Sequence, residues 1–400
     1  MEKRKTFSER FDWTLCLILF LFLIFSLISI YAAQASGQHT TNFALQQVMW
    51  YIIGSVIVAV IMYFDPDQIK RMSWYLFGFG ILLLIILYLA PDGKGQIAAP
   101  INGAKSWFKI PGFGSIQPSE FVKIFLILAL SKMTVQHNQS TAHKSIKTDF
   151  LLFLKLAAIT SLPLALVMLQ PDLGTGLVII SIFLGIVLVS GITWKILVPI
   201  IGGTAFFGGV IFFLVLYFPD ILVKYLNVKA YQFDRIYTWL RPEEYSGEES
   251  FQLEQSLSAI GSGMMSGKQF SGTSVYIPEK HSDFIFSVIG EEFGFIGASI
   301  VVGLFFILIF HLTKIALSSN DQYISYVCAG IISMITFHVF QNVGMTIQVL
   351  PITGIPLPFL SYGGSSLMGN MMAMGVVFSF QFHHKTYMFS SKDTNIPSSL

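Results

Sequence analysis

The sequence predicts an all-α polytopic membrane protein with about ten transmembrane helices, and three observations carry that expectation. Of its 400 residues 54% are hydrophobic and only 12% are charged, with a mean hydropathy of +0.68, too apolar for the surface of a soluble fold. The apolar residues come in runs near the length that carries a helix across a hydrocarbon core of about 30 Å. The runs are continuous and rich in Phe and Leu, whereas a transmembrane β-barrel would show alternating segments of about ten residues.

The first run, 13–34, follows the basic stretch MEKRKTFSERFDW and has no small-residue cleavage site, so an uncleaved first helix is expected. The others fall at 46–64, 73–90, 119–135, 150–169, 173–191, 194–217, 284–313, 323–350 and 360–382. The fourth is short and carries Glu120 and Lys123. Basic residues set the orientation, because short cytoplasmic loops collect Lys and Arg. Lys3, Arg4, Lys5 and Arg10 precede the first helix. With ten helices, Lys70, Arg71, Lys132, Lys144, Lys147, Lys195, Lys314, Lys385 and Lys392 fall on that same side. The short loops after the first, fifth and ninth runs hold no Lys or Arg, although Lys94, Lys105 and Lys109 lie in the longer connection after the third. Both termini are therefore expected in the cytoplasm.

The whole chain, 1–400, reads as a single integral membrane domain without internal repeat, and 391–400 as a disordered tail. Two extracytoplasmic loops are longer than connections need to be: about 91–118, and about 218–283 between helices seven and eight. In the second, YQFDRIYTWLRPEEY spaces aromatics as a surface helix would, and GSGMMSGKQFSGT should be flexible. A net charge of +2, with no basic run interleaved with aromatics, excludes nucleic acid as a partner. Cys16 and Cys328 lie far apart inside apolar runs and form neither a disulfide framework nor a metal motif.

The remaining polar residues gather at the outer side. Asp283 stands where the large loop meets the eighth helix, with His281 before it. Glu291 and Glu292 lie about two helical turns further on, roughly 12 to 14 Å along the axis. Carboxylates at that depth are costly and usually functional. Glu120 and Lys123 share a helix face, either as a salt bridge that permits burial or as a lysine that binds an anion. Asp172, after Gln170 and Pro171, reads either as an N-cap or as a site residue. Arg235 and Arg241 lie on the large loop. His338, Gln341 and Asn342 read as interhelical hydrogen bonders, and Ser365, Gly369 and Ala373 as a packing stripe. The inner half holds flanking charges and Lys155 only, so the chain is expected to enclose a one-sided polar cavity rather than a transport route.

Four blocks carry a resemblance: NGAKSWFKIPGFGSIQPSEFVKI (102–124), QPDLGTGLV (170–178), IPEKHSDFIFSVIGEEFGFIG (277–297) and QNVGMTIQVLPITGIPLPFLSYGGSS (341–366). In this order they resemble the SEDS family of shape, elongation, division and sporulation proteins, its RodA branch more than FtsW, over nearly the whole chain. The resemblance implies a ten-helix bacterial inner-membrane glycosyltransferase that polymerises lipid II into peptidoglycan. It also implies a class B penicillin-binding protein as transpeptidase partner. The family's essential aspartate matches Asp283, and its glutamate and lysine pair matches Glu120 and Lys123. Substrate contacts are expected from Lys105, Trp107, Glu120, Lys123 and Asp172, and from Gln232, Arg235, His281, Ser282 and Glu291. Glu291 and Glu292 would shape the cavity or pair with a cation such as Lys123. The chain departs from the family where many relatives have an arginine before the tryptophan and this one has Lys105 and Ser106, which keeps charge but loses the bidentate fork. The loop GMMSGKQFSGT is also less glycine-rich than usual.

The implied chemistry needs one base and some positive charge, because pyrophosphate leaves as a stable anion without protonation, unlike the leaving group of a glycosidase. Asp283 is the expected base, its basicity raised by partial desolvation. Lys123, Lys105 and Arg235 are candidates to stabilise the pyrophosphate, and a divalent cation, Mg2+ or Mn2+, stays open as an aid. Displacement without a covalent intermediate predicts inversion. Two rivals are a lipid II flippase and a non-enzymatic scaffold for cell-wall enzymes.

Overall fold

The computed structural model describes residues 6–35, 42–91, 98, 105–110, 114–141, 143–218, 231–240, 242–244, 247–268 and 275–383. In chain order the helices are α1 (Phe7–Arg10), α2 (Trp13–Ala35), α3 (Phe43–Met62), α4 (Pro66–Leu89), α5 (Pro118–Ser140), α6 (Ile146–Leu169), α7 (Leu173–Val189) and α8 (Trp194–Tyr217). After them come α9 (Tyr231–Leu240), α10 (Glu248–Ser262), α11 (Ile285–Ser318), α12 (Gln322–Thr346) and α13 (Gly364–Phe382). A small antiparallel hairpin, β1 (Phe108–Ile110) with β2 (Gly114–Ile116), precedes α5 and pairs Phe108 with Ile116.

Every predicted apolar run is helical, with shifted ends. Among the described residues seven helices are long and apolar enough to cross a membrane: α2, α3, α4, α6, α8, α11 and α12. The apolar α7 has 17 residues. The more polar α5 lies at the centre, packed against α4, α6, α7, α12 and α13 and buried on nearly every side. Side-chain caps start several helices: Asp65 accepts from Gln68 N at 2.8 Å ahead of Pro66, and Asp321 from Tyr323 N at 2.8 Å.

Three predicted helices differ from expectation for identifiable reasons. The ninth, expected over 323–350, stops at Thr346, and the tenth begins at Gly364 rather than 360. Between them lie Pro351, Pro356 and Pro358, which lack an amide N–H and disfavour helix in the residue before them. Segment 347–363 therefore runs irregularly through the bundle, and its carbonyls need donors where no water competes. Gln341 donates to Pro351 O (3.0 Å), Asn342 to Ile355 O (2.8 Å), Tyr51 to Phe359 O (2.6 Å), Ser26 to Leu360 O (2.9 Å) and Gln47 to Ser361 O (3.3 Å). Polar side chains buried in α2, α3 and α12 thus hold a non-helical segment in place.

The eighth helix, expected unbroken over 284–313, extends to Ser318 and breaks at Gly294, where φ +65° and ψ −162° suit only glycine. The groups freed by the break pair with residues 264–268. Phe295 N donates to Met264 O (2.9 Å), Ile296 N to Met265 O (3.1 Å) and Lys268 N to Glu291 O (3.0 Å). Residues 263–268, expected to be flexible, are instead docked against the break, and a Cβ at Gly267 would lie 2.0 Å from Glu292 O. The rest of that expected loop, 269–273, and the expected tail, 391–400, lie outside the described residues.

Candidate functional site

Asp283 sits on a tight turn, 278–284, that closes just before α11. Glu279, at φ +53°, reverses the chain, and its carbonyl accepts from Ser282 N (3.1 Å) and Asp283 N (3.2 Å). Ser282 Oγ donates to the same carbonyl and to Glu279 Oε2, each at 3.2 Å. Three further contacts tie down the turn. Asn342 Nδ2 donates to Asp283 O at 2.8 Å, Tyr362 N donates to His281 O at 2.9 Å, and the His281 ring stacks on Phe43 at 4.2 Å. Gly354, at φ +65°, lets the irregular segment pass beside the carboxylate, since a Cβ there would lie 3.3 Å from Asp283 Oδ2.

The backbone of Asp283 is thus fixed while its carboxylate is left without a hydrogen-bond donor among the described residues. The residue is half-buried. Burial, and then the charge of Glu279, push its pKa up to about 7. A carboxylate in that state is about half ionised at neutral pH and, when ionised, basic enough to take a proton.

One helical turn before Asn342 on α12 stands His338. Its Nδ1 lies 2.8 Å from Met334 O, so Nδ1 carries the hydrogen and Nε2 is left as an acceptor. Lys123 Nζ lies 3.1 Å from that Nε2, and 2.9 and 3.0 Å from the two carboxylate oxygens of Glu120. All three side chains are buried, at 5% exposure for Glu120, 2% for Lys123 and 2% for His338. Glu120 and Lys123 follow Pro118, the first residue of α5, and α13 approaches them closely because Gly369 packs against Glu120 O.

A second charged group backs the turn. Glu291, 1% exposed, pairs with Lys268 Nζ at 2.8 Å; of the expected alternatives, shaping the cavity or pairing with a cation such as Lys123, it pairs with a cation, and that cation is Lys268 rather than Lys123. The reason is the break at Gly294: it brings the 263–268 segment against Glu291, while Lys123 already has two partners. Lys280, 2% exposed, lies in the field of both Glu291 and Glu292. Burial lowers its pKa and the two carboxylates oppose that shift.

The other expected contacts are placed as follows. Asp172 caps α7, accepting from Thr175 N (3.0 Å) and Thr175 Oγ1 (2.8 Å), and it also accepts from Gln117 Nε2 (2.8 Å). It borders the site through Gly174, which packs on Thr353 and Ile355 of the irregular segment. Lys105 is elsewhere: its Nζ donates to Tyr88 O at 3.0 Å and to Ala90 O, at the carbonyl end of α4 where a cation is favoured. It opens on a cavity of about 550 Å³ between the ends of α4 and α6. Trp107, partly buried, immediately precedes β1. The side chains of Gln232 and Arg235, on α9, lie outside the described residues.

Sequence reasoning missed Lys268, Lys280 and Gly354. Two are lysines in stretches that read as surface, and the third is one glycine among 33. It treated Asn342 and His338 as generic interhelical bonders, and their spacing of four residues was the available signal that both reach one site. Among the described residues no cluster of three or more His, Cys, Asp or Glu could hold a metal ion. A divalent cation would need most of its ligands from substrate oxygens.

Comparison with known proteins adds context to this geometry. Residues 9–386 match the FtsW, RodA and SpoVE family model, described as cell cycle protein. Stage V sporulation protein E of Bacillus subtilis (strain 168) is 35% identical over 376 residues, covering 92% of this chain and 95% of the relative. Peptidoglycan glycosyltransferase MrdB of Escherichia coli (strain K12) is 32% identical over 388 residues, covering 96% and 97%. A solved structure described as a peptidoglycan synthase complex coordinating polymerization and crosslinking contains a chain that superposes with a TM-score of 0.73 at 26% identity. That superposition covers 93% of this chain and 97% of that one.

Proposed function

Because the chain belongs to the FtsW, RodA and SpoVE family of cell cycle proteins, we propose that it is a peptidoglycan glycosyltransferase of the bacterial cytoplasmic membrane with Asp283 as its general base. The observation that carries the assignment of the base is the state of that carboxylate: its backbone is held at both N–H and carbonyl, by Glu279 O and Asn342 Nδ2, its side chain has no donor among the described residues, and its pKa is pushed up to about 7.

In this reading Asp283 takes the proton from the 4-hydroxyl of the acceptor sugar as the oxygen attacks the anomeric carbon of the donor. The new glycosidic bond forms as the bond to the lipid pyrophosphate breaks, and that group departs as an anion without needing an acid. A single displacement inverts the anomeric centre. General-base assistance of this kind contributes about 10²–10⁴-fold. We place the site at the outer face of the membrane with both termini in the cytoplasm, supported by the distribution of Lys and Arg. A class B penicillin-binding protein is the proposed partner, supported by the likeness to a chain of a complex that couples polymerization to crosslinking. Service in elongation rather than division rests on the RodA-like motif set.

The test is polymerisation of purified lipid II by the full-length protein, with Asp283→Asn as comparison. Glycan chains from the wild type and at least a hundredfold less from a folded Asp283→Asn protein support the assignment. Lipid scrambling in liposomes that ignores Asp283, with no polymer formed, would favour a flippase.

A further inference from the structure

Lys123 is a buried cation that contacts α12 through His338, one turn before the Asn342 that holds the Asp283 turn, and its surroundings are unusual. Its ammonium has three N–H groups. Glu120 takes one, with both carboxylate oxygens near 3 Å, and His338 Nε2 takes a second at 3.1 Å. Among the described residues no third acceptor reaches it, although it is 2% exposed. A buried ammonium donor left unmade is costly, so a ligand or water oxygen is expected at that position.

The imidazole has no freedom in this arrangement. Met334 O holds the hydrogen on Nδ1, and that bond runs along α12 itself, from residue 338 back to 334. Nε2 can therefore act only as an acceptor, and it faces a cation. A protonated imidazole would set two positive charges about 3 Å apart in a buried site, so His338 is neutral there. Its position is coupled to the reacting turn, because Asn342, one turn further on α12, holds both Asp283 O and Ile355 O at 2.8 Å.

We propose that His338 is a positioning residue that aims the remaining N–H of Lys123 at an anionic oxygen of the substrate, of the pyrophosphate class. It does so as a neutral hydrogen-bond acceptor and transfers no proton. Glu120 alone fixes one direction of the ammonium, whereas two acceptors on different helices, α5 and α12, determine where the third N–H points. The inference rests on the glycosyltransferase reading and adds to it a role for a histidine that the proton-transfer step leaves unused.

The experiment compares full-length wild type with His338→Gln, which keeps an acceptor, and His338→Leu, which removes it. Each is assayed for kcat and KM on lipid II and for thermal unfolding, alone and combined with Lys123→Met. His338→Leu should lower kcat/KM by about 10- to 100-fold, mostly in kcat if the anion contact strengthens as pyrophosphate departs. His338→Gln should stay within about threefold of wild type. On a Lys123→Met background the same His338→Leu change should lower activity by less than about twofold, because its target is gone.

Three results would overturn the role: unchanged kinetics in a folded His338→Leu protein, equal losses in His338→Gln and His338→Leu, or an undiminished loss on the Lys123→Met background. Should His338→Leu fail to fold, His338→Met takes its place as a side chain with at most a weak acceptor. Wild-type polymerisation and its loss in Asp283→Asn are measured in the same series. If those fail, the reaction reading falls and the proposal with it; if they hold while His338→Leu is indifferent, only the role of His338 falls.

Discussion

Glu120 and Asp283 are two carboxylates tied to the same helix one turn apart, and the fold treats them in opposite ways. Glu120 is 5% exposed and held by Lys123, which His338 holds in turn. Asp283 is half-buried, with its backbone fixed and its carboxylate left without a donor. Glu120 has both carboxylate oxygens committed to Lys123, whereas a desolvated carboxylate without a partner has its pKa raised. The difference is what favours Asp283 over Glu120 as the proposed base.

The largest expected effect comes from breaking the compensated pair. Lys123→Met leaves the Glu120 carboxylate buried alone and should destabilise the protein by about 3–5 kcal/mol, seen as a lower unfolding temperature in detergent. Adding Glu120→Gln should recover most of that stability. If Lys123→Met unfolds like wild type, Glu120 and Lys123 are not the dry pair described above.

The uncompensated acid is probed next, through its neighbour. Gly354→Ala places a Cβ 3.3 Å from Asp283 Oδ2 at a residue with φ +65°. It should cost about 1–2 kcal/mol from the backbone alone and reduce polymerisation by crowding the base. Stability that falls with activity untouched would separate the segment from the chemistry.

Asp283→Asn should have the reverse sign on stability. With a folded pKa near 7 against an ordinary 3.8, the acid's contribution is fully present below about pH 3.8 and is lost as pH rises through 7. Above that, the folded chain carries an ionised group in a poor environment. The asparagine variant should therefore unfold at a higher temperature than wild type at pH 8, by an amount on the order of 1–2 kcal/mol, with the gap narrowing at pH 5. A variant less stable at both pH values would contradict the raised pKa.

The smallest effect tests the scaffold that both acids share. Tyr51→Phe removes the donor to Phe359 O and should cost about 1 kcal/mol with little change in polymerisation, read by thermal unfolding and by the lipid II assay.

Much of the fold was legible in the sequence, because long apolar runs are the strongest signal a chain carries. All ten runs are helical, and the pairing of Glu120 with Lys123 followed from their spacing of three. What was not legible has a common cause. The break at Gly294 and the irregular course of 347–363 are backbone departures stabilised by residues far away in sequence, such as Tyr51, Gln47 and Met264. No local pattern announces such partners. Lys268 reads as a loop lysine until the break in α11 brings Glu291 to it, and Gly354 as one glycine among 33 until Asp283 is seen beside it.

The most direct test of the account is the pH dependence of kcat/KM for lipid II polymerisation between pH 5.5 and 8.5. With Asp283 as the base and its pKa pushed up to about 7, the rate should be level above that value and fall about tenfold for each pH unit well below it. A profile that stays flat down to pH 5.5, in a protein that remains folded across the range, would contradict it.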